Sequence, residues 1–146
     1  GIPKVIFASS NHVTDFYEHE GSSLLGREIS VSDYPYSRSI YGILKLASEN
    51  AGHMFAFQYP LSVINLRIGS VPENELEKLK ENKRIHYTLL TREDLVQLFT
   101  AAVETNAKYG TYYGVSGNRH KPWDMKEAYH ELNYRSEKNA NDLLEH

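Results

Sequence analysis

Cysteine is absent from the 146 residues, which excludes disulfides, cysteine-ligated zinc and a thiol nucleophile and fits a reducing, cytoplasmic setting. Long apolar runs are absent as well, so nothing approaches the roughly 20 residues that a membrane-spanning helix needs. The opening segment, Gly1-Ile2-Pro3-Lys4-Val5-Ile6-Phe7-Ala8, lacks the basic start and extended apolar stretch of a signal peptide. Positive charge is not in excess: 16 Lys and Arg face 19 Asp and Glu, for a net charge of −3. Without a basic stripe, nucleic acid is not an expected partner. Finally, no glycine-rich G-x-G-x-x-G turn follows a strand-like run; Gly110, Gly114 and Gly117 have the wrong spacing. The element that holds a dinucleotide pyrophosphate is therefore missing from this sequence.

The length suits one domain, expected over residues 1–143, with Leu144-Glu145-His146 read as the stub of an affinity tag. Val5 to Ala8 is a continuous apolar run closed by Ser9-Ser10-Asn11-His12, the pattern of a strand buried on both faces of a parallel sheet. Residues 13–40 read as loop. From Ile40 to Tyr59, Ile43, Leu44, Ala47, Ala51, Met54 and Phe55 recur at helical spacing, and Pro60 stops the pattern. Leu61 to Ile68 alternates as a strand and ends at Gly69-Ser70.

The charged stretch from Glu73 to Arg84 reads as a solvated helix or a mobile insert. Thr91 starts another helix with Asp94 as capping partner, and Leu95, Val96, Leu98, Phe99, Ala102 and Val103 supply its core face. Thr111 to Val115 is a short strand, and Trp123-Asp124 opens a last amphipathic helix through Met125, Ala128 and Leu132. Alternation of strands and helices predicts a parallel α/β sheet with right-handed crossovers.

Tyr41 and Lys45 lie four residues apart, hence on one helix face, with Ser10 at a strand end upstream. The spacing alone is weak evidence: the chain holds 11 tyrosines and repeats the pattern at Tyr134 and Lys138, where no strand-end serine precedes it. A free tyrosine titrates near 10, so a tyrosine base needs a fixed ammonium beside it. A phenolate held this way takes a proton from a substrate hydroxyl while hydride leaves the same carbon, and a serine hydrogen-bonds the reacting oxygen. Open α/β sheets place their ligands at the strand carboxyl ends, where Ser10 falls.

Here the chain resembles the C-terminal portion of the extended short-chain dehydrogenase/reductases, the NAD-dependent epimerase/dehydratase family. The resemblance rests on Val5 to Ser10, on Tyr41-Gly42-Ile43-Leu44-Lys45 and on Leu66-Arg67-Ile68-Gly69-Ser70. The local match is to uronate dehydrogenases, through Ala8-Ser9-Ser10-Asn11-His12-Val13 and Tyr113-Gly114-Val115-Ser116-Gly117-Asn118-Arg119. It implies part of a Rossmann-like doubly wound parallel sheet that lacks the N-terminal glycine-rich half. It implies Ser10, Tyr41 and Lys45 as catalytic residues, with Tyr41, Lys45 and Ile68 also meeting the cofactor, NAD or NADP. Asn11, His12 and Ser70 match positions lining a sugar site, and Arg84 matches a carboxylate clamp. In that family a cyclic uronic acid is oxidised at its anomeric carbon. Asp15 departs from the family pattern, which usually carries glycine there.

Two other readings follow from the same residues: a nucleotide-sugar epimerase or dehydratase, and a non-catalytic binding or regulatory remnant. Glu18-His19-Glu20 offers no convincing ligand set, so no metal is expected. Trp123 reads as a packing residue. The first strand belongs inside the family sheet, so its open edge implies a missing N-terminal half or a second chain such as a homodimer partner.

Overall fold

The computed structural model describes residues 3–145. Gly1 and Ile2 of the expected domain and His146 of the expected tag stub lie outside the described residues. Strand β1 (Lys4–Ser10) runs into a 3-10 turn (Asn11–Tyr17) and a small hairpin of β2 (Glu18–His19) and β3 (Ser22–Ser23). Helix α1 (Ile40–Gln58), strand β4 (Ser62–Ile68), helices α2 (Glu75–Glu81), α3 (Ile85–Thr88) and α4 (Arg92–Glu104), and strand β5 (Tyr109–Gly114) follow. A π-turn (Ala128–Leu132) and α5 (Ala140–Leu144) close the chain.

The sheet order is β1-β4-β5, all parallel, with Ser10 beside Ile68 and Ile68 beside Gly114. The α/β class and parallel sheet expected from the sequence are present. Strand β4 is central and buried along almost its whole length. On one face its Ile64 and Leu66 join Leu98 and Ala102 of α4, Tyr112, Leu132 and Tyr134 in the main core. On the other face lies α1.

Helix α1 starts where Ser39 accepts the Gly42 N–H at 3.0 Å, a side-chain cap for an otherwise orphaned donor. Asp15 holds that cap: its carboxylate accepts from the Ser39 hydroxyl at 2.9 Å and the Arg38 N–H at 2.5 Å. Gly42 permits the close approach, since a Cβ there would lie 2.2 Å from the His12 carbonyl oxygen.

The structure corrects several expectations. Strand β1 is not buried on both faces; Val5 is 46% exposed, because β1 is an edge strand with β4 on one side only. In α4, Val96 and Val103 are exposed and Asp94, Leu98 and Ala102 are buried. Positions 94, 98 and 102 form one stripe at four-residue steps, and 96 and 103 point away from it.

The apolar stripe that marks α1 in the sequence is not its buried face. Ile43, Leu44, Met54 and Phe55 are exposed, whereas Gly42, Glu49 and Ala56, spaced by seven, are buried. The expected last helix shrinks to the π-turn, ended by Asn133 at φ 59°. Trp123 instead pairs with Ile29 and stacks on Tyr113.

Of the two readings for the charged stretch, the helix holds. Asn74 caps α2, acidic Glu75 and Glu77 sit in its first turn, and Lys78 and Lys80 in its last, matching the helix dipole. Leu79 anchors it in a small core with Ile85, Leu89 and Ala140. Thr91 caps α4 by accepting the Asp94 N–H at 3.1 Å. The Asp94 carboxylate does not return to Thr91; it accepts from Ser116 and Ser136 at 2.6 Å each and from the Glu137 N–H at 2.9 Å. No helix among the described residues is long and apolar enough to cross a membrane.

Candidate active site

The carboxyl ends of β1 and β4 open onto a cavity of about 480 Å³. Its wall includes Ser10, Asn11, His12, Tyr41, Ile68 and Ser70. Six of the eight residues singled out in the sequence therefore meet in one place. The parallel register brings Ser10 level with Ile68, and the Gly42 contact brings the first turn of α1 over the turn that follows β1.

Ser10 is buried, and its hydroxyl oxygen accepts the His12 N–H at 3.0 Å, which leaves its own hydrogen to donate. The His12 ring meets the Tyr41 ring edge-on, with centroids 5.8 Å apart. Tyr41 is half exposed at the mouth. Lys45 stands one helical turn behind it, outside the cavity wall. Its ammonium donates to the Ala8 carbonyl at 2.9 Å and lies 5.6 Å from the centre of the Tyr41 ring. One cation is thus tied to the strand end and to the tyrosine together.

Asn11 uses its amide on protein partners. Nδ2 donates to the Ile68 carbonyl at 2.9 Å, and Oδ1 accepts from Arg84 Nη2 at 3.1 Å. Ser70 exchanges a hydrogen bond with Thr88 at 2.8 Å. Arg84 approaches from behind these two residues and lines a neighbouring cavity of about 790 Å³ with His19, Lys78 and Tyr87. Its guanidinium is paired with Glu18.

Beneath the site lies a polar network that sequence reasoning missed. Arg67 of β4 makes a two-pronged pair with Glu49 of α1, at 3.0 Å and 2.9 Å, both side chains about 5% exposed or less. The Ser9 hydroxyl donates to the same carboxylate. Arg67 also reaches the Tyr113 hydroxyl at 3.4 Å, which in turn bonds Thr14. Burial pushes the Tyr113 phenol above its ordinary value, and Arg67 pulls it part of the way back. Burial opposes the Arg67 charge, yet Glu49 and Tyr113 more than offset it, and its pKa lies above the ordinary value. The network ties β1, β4, β5 and α1 together directly under Ser10 and Lys45.

No family model matches the chain. Among curated proteins it is 54% identical over 144 residues to the uncharacterized protein YtbQ of Bacillus subtilis, covering 99% of this chain and 57% of that protein. It is 30% identical over 151 residues to the NAD-dependent glucose-6-phosphate dehydrogenase of Haloferax volcanii, covering 96% of this chain and 55% of the relative. With the uronate dehydrogenase of Pseudomonas syringae the identity is 32% over 130 residues, 88% of this chain and 43% of the relative. Among solved structures, uronate dehydrogenase from Agrobacterium tumefaciens matches with a TM-score of 0.81 at 25% identity, over all of this chain and 51% of that one. The chain spans about half the length of the relatives it matches. The resemblance read from the sequence motifs is the one these comparisons find.

Proposed function

We propose that this chain, the C-terminal portion of an extended short-chain dehydrogenase/reductase, supplies the catalytic half of an NAD-dependent oxidoreductase acting on a sugar or uronic acid. The supporting observation is the convergence of Ser10 and Tyr41 on one cavity at the strand carboxyl ends, with Lys45 one turn behind. Tyr41 takes the proton from the reacting hydroxyl, Ser10 donates to the same oxygen, and Lys45 places a positive charge beside the ring. His12 packs against Tyr41 and limits its swing.

Tyr41, Lys45 and Ile68 suit the nicotinamide and ribose end of NAD: a hydroxyl and an apolar wall at the cavity, with an ammonium one helical turn behind. NAD supplies the hydride acceptor when bound. The pyrophosphate has no glycine-rich turn in this sequence. We therefore assign that role to a second half, which docks on the open edge of β1 and the apolar outer face of α1. Val5, Ile43, Leu44 and Phe55 are exposed there, and an unpaired strand edge beside apolar surface favours association.

The test is reduction of NAD by the natural gene product with glucose, galactose and their uronic acids. Tyr41→Phe should lower kcat by about 100-fold or more, the scale of a lost general base. Full activity in the folded variant would refute the role of Tyr41.

A further inference from the structure

The Arg84 guanidinium is already occupied. Its Nε donates to Glu18 Oε1 at 2.8 Å and its Nη2 to the same oxygen at 2.5 Å. Nη2 also donates to Asn11 at 3.1 Å, and Nη1 reaches Ser70 at 3.4 Å. A carboxylate clamp works through two N–H groups aimed at one carboxylate, and Glu18 fills that place.

Backbone fixes both ends of the pair. Glu18 is held in the β2–β3 hairpin opposite Ser23, and its carbonyl accepts from Arg38 at 2.9 Å. The hairpin turn passes through Glu20 and Gly21, at φ 49° and 88°. A Cβ on Gly21 would lie 2.7 Å from the Tyr87 ring and 3.1 Å from the Arg84 carbonyl oxygen. The turn is pressed onto the segment that carries Arg84, which sets the two side chains next to each other. The cavity walled by Ser10 and Tyr41 adds no charge of its own, holding serines, Asn11, His12 and Tyr41 and no lysine, arginine, aspartate or glutamate; the neighbouring cavity that Arg84 lines carries Glu20 and Glu81 against Lys78 and Lys83.

We propose that Glu18, by neutralising Arg84, sets specificity for an uncharged sugar over a uronate. The inference rests on the sugar-oxidoreductase reading above. A uronate carboxylate arriving at Arg84 meets a second carboxylate on the same cation, and like charges at one site repel. A sugar hydroxyl meets no such repulsion. Glu18 acts through Arg84 and is a positioning residue rather than a catalytic one.

The test is a ¹H–¹⁵N NMR titration of the natural gene product, with NAD present, against glucose, galactose, glucuronate, galacturonate and glucose 6-phosphate. The amides of Ser10, His12 and Ser70 and the Arg84 Nε–H report the site. Each neutral sugar should bind about 10-fold or more tightly than its uronate, and Glu18→Gln should move that ratio about 10- to 100-fold toward the uronate, the range for one hydrogen bond to a charged group. Loss of packing alone would weaken both sugars together, so an unchanged ratio in the variant overturns the proposal. The wild-type ratio decides even where the variant fails to fold. Tighter wild-type binding of a uronate or of glucose 6-phosphate overturns the specificity inference and leaves the oxidoreductase reading standing. Silence of all these signals with every sugar overturns both.

Discussion

Replacing Glu49 by glutamine strikes the floor of the candidate site. The pair with Arg67 spans α1 and β4, and the two side chains are 4% and 5% exposed. A glutamine keeps the shape and removes the charge: its amide oxygen can still accept one Arg67 N–H, but the buried guanidinium loses its second acceptor there and its only counter-charge among the described residues. Losing one partner of a buried pair costs about 3–5 kcal/mol, whereas an exposed pair contributes about 0–1 kcal/mol. Against a total stability of about 5–15 kcal/mol, that is a large fraction. Urea unfolding followed by circular dichroism measures it, as a fall in midpoint at unchanged slope. The double variant Glu49→Leu with Arg67→Met should recover most of the loss, because it leaves no unpaired charge. A loss under about 1 kcal/mol in Glu49→Gln would place the pair in the solvent-screened class and refute the argument.

Other outcomes follow from the same contacts. Asp94→Asn should cost about 2–3 kcal/mol, since the carboxylate takes hydrogen bonds from Ser116, Ser136 and Glu137; limited proteolysis should then cut first within residues 133–140. Hydrogen bonds from Arg27 hold the Asp33 carboxyl down at about 2. A carboxyl depressed in the fold contributes stability that is full above its unfolded value and is lost as pH falls from about 4 toward about 2. The pair is largely solvated, so the effect on stability is small, but an NMR titration should show Asp33 returning toward the ordinary carboxylate value in Arg27→Gln.

Much of the frame was legible because it depends on local pattern. The apolar Val5–Ala8 run with its Ser9-Ser10 ending is one parallel strand of the expected sheet, and the Leu61–Ile68 alternation is another. Thr91, read as a helix start, caps α4 through a hydrogen bond to the backbone N–H three residues on, the reach that a short hydroxyl side chain has. Periodicity did not reveal which side of α1 is buried. It reports an apolar face, and Ile43, Leu44 and Met54 form one, but it carries no information about which neighbour covers that face. Among the described residues the opposite side is buried, Gly42 against the turn after β1 and Glu49 against Arg67 of β4.

The site was legible where its residues sit in one short motif, and hidden where it is assembled across the chain. Ser10 and the Tyr41–Lys45 pair are picked out by residue type and spacing taken together, and Asn11 and His12 by the family resemblance of the run they sit in. Glu49 and Arg67 are 18 residues apart, and Glu18 and Arg84 are 66 apart. Each is an ordinary surface residue by composition, so nothing local distinguishes it from a solvated charge. What separates the two carboxylates is burial on the strand side of a helix and inside a hairpin turn pressed onto its neighbour. That difference decides chemistry as well as stability. Glu49 neutralises Arg67 beneath the strand ends, where no substrate reaches, and so fixes Ser9 and α1 in place. Glu18 neutralises Arg84 behind Asn11 and Ser70, the two wall residues that Arg84 touches, which is the basis of the specificity proposed above.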